Sequence, residues 1–203
     1  MAVKMATQEH EPKQARSWQT LYRLLSASEA LLEHGGLDAA TVPAIAEAAG
    51  VSVGVVYRRF PDKDMLLRAV YMRFFETAMQ QPHVHSGTRT LQDVARAIIL
   101  RTVDSYRRKR GLVRSLLLYA RTHPDVEFRH VARKMHRATF YSIKALLLSN
   151  RSEIDHPDPD AAIEFALLAV TSILQQAVLE ERMPQHLDEE LVRLFFRYLG
   201  LET

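Results

Sequence analysis

The chain has no cysteine. That excludes a disulfide framework, a thiolate metal site and a cysteine nucleophile, and it suits a reducing compartment. Glycine is scarce, seven in 203 residues, and no alternation of apolar and polar residues persists, so strands are not expected. No apolar run approaches the ~20 residues that a membrane span needs. Met1 to Pro12 is polar and of mixed charge, without the apolar centre of a signal peptide, and reads as a flexible tail. The nine His show no i, i+4 pair beside a carboxylate of the kind that binds metal on a helix. There is no Gly-rich phosphate loop and no nucleophile-base arrangement. No metal, no cofactor and no enzymatic activity are therefore expected.

What is present is helical periodicity. Apolar residues make up 47% of the chain, ample for a packed core. Net charge is only +3, but residues 101 to 137 hold eleven Lys or Arg against three acids, leaving the rest of the chain net negative. The spacing predicts an all-α fold of about nine helices. Helix one runs over about 13–34, with Trp18, Leu21, Tyr22, Leu25 and Leu32 on one face and Gly35-Gly36 as its stop. Two short helices follow, then a fourth over about 62–81 and a loop over 82–90. Helices five, six and seven cover about 91–108, a stretch to Thr122, and a stretch to Ser149. Residues 152–160 form an acidic loop, helix eight runs over about 160–181, and helix nine over about 188–199. The run Arg107 to Arg110 reads as a solvated helix end, where cations complement the helix dipole, with a second nucleic-acid contact or an anionic ligand as the alternatives.

The two short helices carry the argument. Thr41 caps the first, with Pro43 tolerated in its opening turn. Ile45, Ala46 and Ala49 give it a narrow apolar stripe, and Gly50 supplies the positive φ of a sharp turn. Val51 plugs the turn, Ser52 caps the second helix, and that helix runs to about Arg59 with Val56 and Phe60 turned inward. Two small-residue helices joined this way form a helix-turn-helix, whose second helix enters the DNA major groove.

The wider order is a long amphipathic helix, Gly35-Gly36, Thr41, the turn at Gly50, then Gly54, Tyr57, Phe60 and Lys63. Over about residues 14–75 it resembles the DNA-binding domain of the TetR family of bacterial regulators. The resemblance implies a flexible tail over 1–12, a helix-turn-helix domain over 13–61, and a ligand-binding and dimerisation domain over 62–203. It implies that Val53, Val55 and Arg58 face base edges and that Gly54 lets the backbone approach DNA. It also implies that Tyr57, Arg59, Lys63 and Thr41 meet phosphates, beside the cap Ser52. Helix N-termini and cations bind phosphate, and Arg pairs with guanine, so the chemistry agrees. Val55 stands where the family often has a hydroxyl or amide, and Arg59 where His is common, so base preference does not transfer.

Helix eight is apolar all round, which means cover on every side. In so small a domain part of that cover is expected from a second subunit, through Ile163, Leu167, Val170 and Leu174; the alternative is the central helix of a monomer core. The resemblance implies that helices eight and nine pair with their copies in a homodimer. Tyr106, Tyr119, Met135, Thr139 and Ser142 lie amid aliphatics, a mixture that can line a pocket or be plain core. The resemblance favours a pocket for a small, largely apolar effector. The expected protein is a cytoplasmic dimeric repressor on a palindromic DNA operator, released by that effector. The alternatives are an effector-free DNA-binding dimer and a helical enzyme.

Overall fold

In a computed structural model, residues 10–80 and 90–201 are described. The N-terminal tail up to residue 9, and the loop expected over 82–90 up to residue 89, lie outside the described residues. Among those described, the secondary structure is nine α-helices and one short 3-10 turn, Arg151–Glu153. The chain forms two compact units, one ending at Phe74 and the next beginning at Phe75.

In the first unit, α1 (His10–Ala39) packs on α2 (Val42–Ala48), and α2 on α3 (Val53–Arg59). The Gly35-Gly36 pair ends the long segment of α1, as expected. Gly36 takes φ 69 and ψ −162, outside the helical range, and a helical segment resumes to Ala39. A residue without Cβ is suited to that kink. The expected face of α1 is corrected. Leu24, Leu25, Ala27 and Leu32 are buried, but Trp18 and Tyr22 are 58% and 57% exposed. The face therefore turns inward only from Leu24 on. Where the sequence reading places a boundary at residue 62, the first unit runs on into α4 (Lys63–Gln80). Leu66, Leu67, Val70 and Tyr71 are buried there, and Arg73 spans to α1, where it sits 5.5 Å over the Tyr22 ring and donates to Ser26 Oγ at 3.1 Å. Asp62 caps α4 by accepting from the Met65 N–H at 2.8 Å.

The second unit contains α5 (Leu91–Arg108), α6 (Arg110–Thr122), α7 (Val126–Leu148), α8 (Pro159–Leu179) and α9 (Leu187–Tyr198). Thr90 and Asp93 form a capping box at the start of α5, and Asp125 and Asp158 cap α7 and α8. The break between α5 and α6 falls at Lys109, with Gly111 inside the next helix. The core is built from Ile98, Ile99 and Val103 of α5, Ile163, Leu167, Val170 and Leu174 of α8, and Leu191, Phe195 and Phe196 of α9. Each such side chain contributes roughly 1.5–3 kcal/mol when fully removed from water. Lys144 of α7 is 8% exposed and reaches Asp160 at 2.7 Å and Glu164 at 2.5 Å, tying α7 to α8.

α8 is the most apolar of the described helices by the membrane-span measure, a test that buried core helices also pass. Its most apolar 18-residue window has mean hydropathy 1.7, long and apolar enough by composition to cross a membrane, and 44% of that window is buried inside the protein. Glu164, Gln175 and Gln176 interrupt the run in sequence, but a helix averages over them.

Candidate nucleic-acid interface

The turn between α2 and α3 is built from local rules and one long-range clamp. Thr41 Oγ1 accepts from the Ala44 N–H at 3.3 Å, and Pro43 sits in the first turn. Val42, Ile45, Ala46 and Ala49 are buried, and Gly50 takes φ 61. Arg23 of α1 closes the end of α2: its Nη2 donates to the Gly50 carbonyl at 3.0 Å and to the Ala49 carbonyl. Those carbonyls lie at a helix end and lack intrahelical partners, and a cation there also meets the dipole. A Cβ on Gly50 would come within 2.7 Å of that guanidinium nitrogen, so the turn is both bent and filled.

On α3 only Val56 is buried, and Phe60 packs beneath the helix end at 8% exposure. Val53, Gly54, Tyr57 and Arg58 are exposed and Val55 is half-buried. Ser52 occupies the N-cap position with extended backbone, but its side chain makes no capping hydrogen bond. Gly54 is informative. A Cβ there would meet only Ser52 Oγ, at 3.9 Å, so nothing inside the protein requires glycine. Glycine within a helix costs roughly 1 kcal/mol relative to alanine.

Two of the expected phosphate ligands have partners within the chain. Arg59 Nη1 donates to Ser17 Oγ at 3.1 Å, and Lys63 Nζ donates to the Leu37 carbonyl at 3.0 Å. Ser17, Arg23 and Leu37 carry no signal in the sequence, because each acts across 26 or more positions.

The residues expected to line a pocket are not equivalent. Tyr106 on α5 is partly buried against the core, and burial pushes its phenol above the usual range while Arg121 pulls it back. Tyr119 is buried, its ring 4.9 Å from His123 and 5.3 Å from Phe128. Met135 and Thr139 are partly buried, and the Thr139 hydroxyl donates to the Met135 carbonyl at 3.2 Å. Ser142 is exposed and leaves the set. His136, absent from the expected set, lies 4.3 Å from the Phe75 ring. Burial holds its imidazole below the ordinary value, with Arg121 adding to the effect.

The expected dimer residues need correction. Ile163, Leu167, Val170 and Leu174 are all 5% exposed or less and belong to the protomer's own core. The face of α8 left outward carries Phe165 and Leu168, exposed at 57% and 55%, and Ile173. It continues onto α9 at Leu194 and Tyr198, with the Phe165 and Tyr198 rings 5.1 Å apart. A groove of about 350 Å³ on these two helices is lined by Ile173, Leu187, Leu191 and Leu194 with Glu190, Arg193 and Arg197. The basic run is largely paired. Arg107 grips Asp188 through both carboxylate oxygens, at 2.9 and 3.1 Å, and Arg108 pairs with Asp104.

Residues 24–70 match the family model for bacterial regulatory proteins of the tetR family. Two transcriptional repressors named KstR are similar over 54 residues, at 46% identity in Rhodococcus jostii and 44% in Mycolicibacterium smegmatis. Each match covers 27% of this chain and 26% of the relative, so the likeness spans about a quarter of those proteins. The fold is shared more widely. The regulator FadR from Bacillus subtilis, in complex with stearoyl-CoA, superposes with a TM-score of 0.70 at 14% identity, over 90% of this chain and 99% of its own. A Streptomyces coelicolor regulator gives 0.70 at 16% identity, over 89% of this chain and 79% of its own. The sequence likeness to tetR-family regulatory proteins thus covers the helix-turn-helix region, and beyond it the likeness is one of all-helical fold.

Proposed function

We propose that the protein is a cytoplasmic transcriptional repressor that binds a palindromic DNA operator as a homodimer and is released by a small, largely apolar effector. The observation that carries the reading is α3 itself. It buries Val56 alone and turns Val53, Gly54, Tyr57 and Arg58 outward, with two arginines in its last turn. An unneeded glycine on an exposed helix face is accounted for when another backbone must come close. Val53, Val55 and Arg58 then read base edges, while Thr41, Ser52, Tyr57, Arg59 and Lys63 hold the phosphate backbone. Two such helices related by a two-fold meet half-sites ~34–36 Å apart.

The dimer reading now rests on Phe165, Leu168, Ile173, Leu194 and Tyr198, an apolar strip that a second copy would cover. That a related fold holds stearoyl-CoA supports an apolar effector. An effector must bind one arrangement of the dimer better than the other, or it shifts nothing. The effector-free alternative draws support from the close aromatic packing of Tyr119 with His123 and Phe128.

Genomic footprinting with purified protein tests the reading. The expected result is a set of protected two-fold symmetric sites. Uniform protection without a shared sequence counts against a sequence-reading α3. Mass spectrometry of the purified protein for a co-purifying apolar molecule separates the effector-bound from the effector-free reading.

A further inference from the structure

The basic stretch over 101–137 divides in the folded chain. Arg107, Arg108 and Arg114 pair with Asp188, Asp104 and Glu181. Arg121 donates to Gln175 at 2.8 Å, and Arg129 to the carbonyls of His123 and Pro124. Arg133, Lys134 and Arg137 are exposed on α7 and make no hydrogen bond or ion pair among the described residues. His130 is exposed one turn earlier, and Glu127 is the only acid on the helix. Arg133 and Arg137 stand at i, i+4, where like charges destabilise a helix. They lie mid-helix, beyond the last turn where the dipole rewards a cation. The fold gains nothing from this arrangement, so an external anion is the natural counterpart.

We propose that the outward face of α7 is a second, sequence-indifferent contact for duplex DNA, with Arg133, Lys134 and Arg137 gripping phosphates. The proposal rests on the DNA-binding reading, since α3 would hold a duplex on the same chain and raise the local concentration of phosphate. The chemistry of the face selects this partner. A membrane helix needs bulky apolar residues beside its cations, and a protein interface needs an apolar centre. Here the exposed neighbours are Ala138 and Ser142, with Val126 and Tyr141 only toward the two ends of the stripe. Cations without apolar anchors suit phosphate contact and counterion release.

Lysine acetylation of the native full chain, read by mass spectrometry with and without a long duplex of mixed sequence, tests it. Protection of both Lys63 and Lys134 is the expected result. Protection of Lys63 alone overturns the α7 contact and leaves the DNA-binding reading standing; protection of neither overturns both. The variant carrying Arg133→Gln, Lys134→Gln and Arg137→Gln should lower the salt slope on that duplex by about 2–3 units, at about 0.9 per phosphate. An unchanged slope overturns the proposal. So does an unchanged slope together with lost binding to phosphatidylserine vesicles, which would assign the face to a membrane.

Discussion

Arg59 Nη1 donates to Ser17 Oγ at 3.1 Å, so the last turn of α3 is tied to the N-terminal half of α1. A bond between an exposed guanidinium and a hydroxyl is easily exchanged for one to phosphate, which is charge-assisted and stronger. Arg59→Ala should therefore reduce the salt slope of DNA binding by about one unit, while Ser17→Ala leaves the slope unchanged. Equal slopes for native protein and Arg59→Ala would remove Arg59 from the phosphate contacts.

Lys63 differs, because its ammonium satisfies the Leu37 carbonyl near the end of α1. Lys63→Ala should weaken DNA binding and also lower the stability of the free protein, by about 0.3–1 kcal/mol. Denaturant melts of the variant check the second effect. Unchanged stability would mean that the Leu37 contact contributes nothing.

Arg58 is exposed on α3, and no hydrogen bond or ion pair holds it among the described residues. Arg58→Ala should cost roughly 1–3 kcal/mol on the operator and relax preference at one base pair per half-site. Competition assays against single-base operator variants measure this. A loss shared equally by random DNA would make Arg58 a phosphate ligand instead.

Leu167 and Leu168 are neighbours in sequence with opposite surroundings, 5% and 55% exposed. Leu168→Glu should give a folded monomer by sedimentation. Leu167→Glu should unfold or severely destabilise the chain, because its charge enters a core of Ile163, Val170 and Leu174. If Leu168→Glu remains a dimer, the outward face of α8 is not the contact.

His136 sets a pH dependence. Its folded pKa lies below the ordinary 6.5, so as pH falls past 6.5 the unfolded chain takes up a proton that the folded chain refuses. Stability from this group is complete above 6.5 and is lost as pH drops toward the folded value. Thermal melts at stepped pH should show a decline below 6.5 that is smaller in His136→Phe. Identical profiles would assign the decline elsewhere.

The helix-turn-helix was legible because its determinants are local: the Thr41 cap, the left-handed Gly50, Val56 turned inward. The helix count followed from periodicity in the same way. What could not be read is what acts between elements. Arg23, Ser17 and Leu37 reach their partners across at least 26 positions, and no pattern marks such contacts. Trp18 and Tyr22 share a helical phase with buried residues, so periodicity placed them inside. On α8 apolar residues on every side erase the phase, so the sequence offers the inward row of Ile163, Leu167, Val170 and Leu174 as the dimer face.

Those outward apolar residues also bear on how the chain is made. α8 emerges in synthesis after α5, α6 and α7 and before α9. Its inward row can dock at once on helices already present, as domains fold progressively from the N-terminus. On the dimer reading, Phe165, Leu168 and Ile173 must still wait for a second copy to cover them. On that reading, the interval between release and pairing is when the chain is most prone to aggregate, and slow, dilute expression should favour the native state over inclusion bodies.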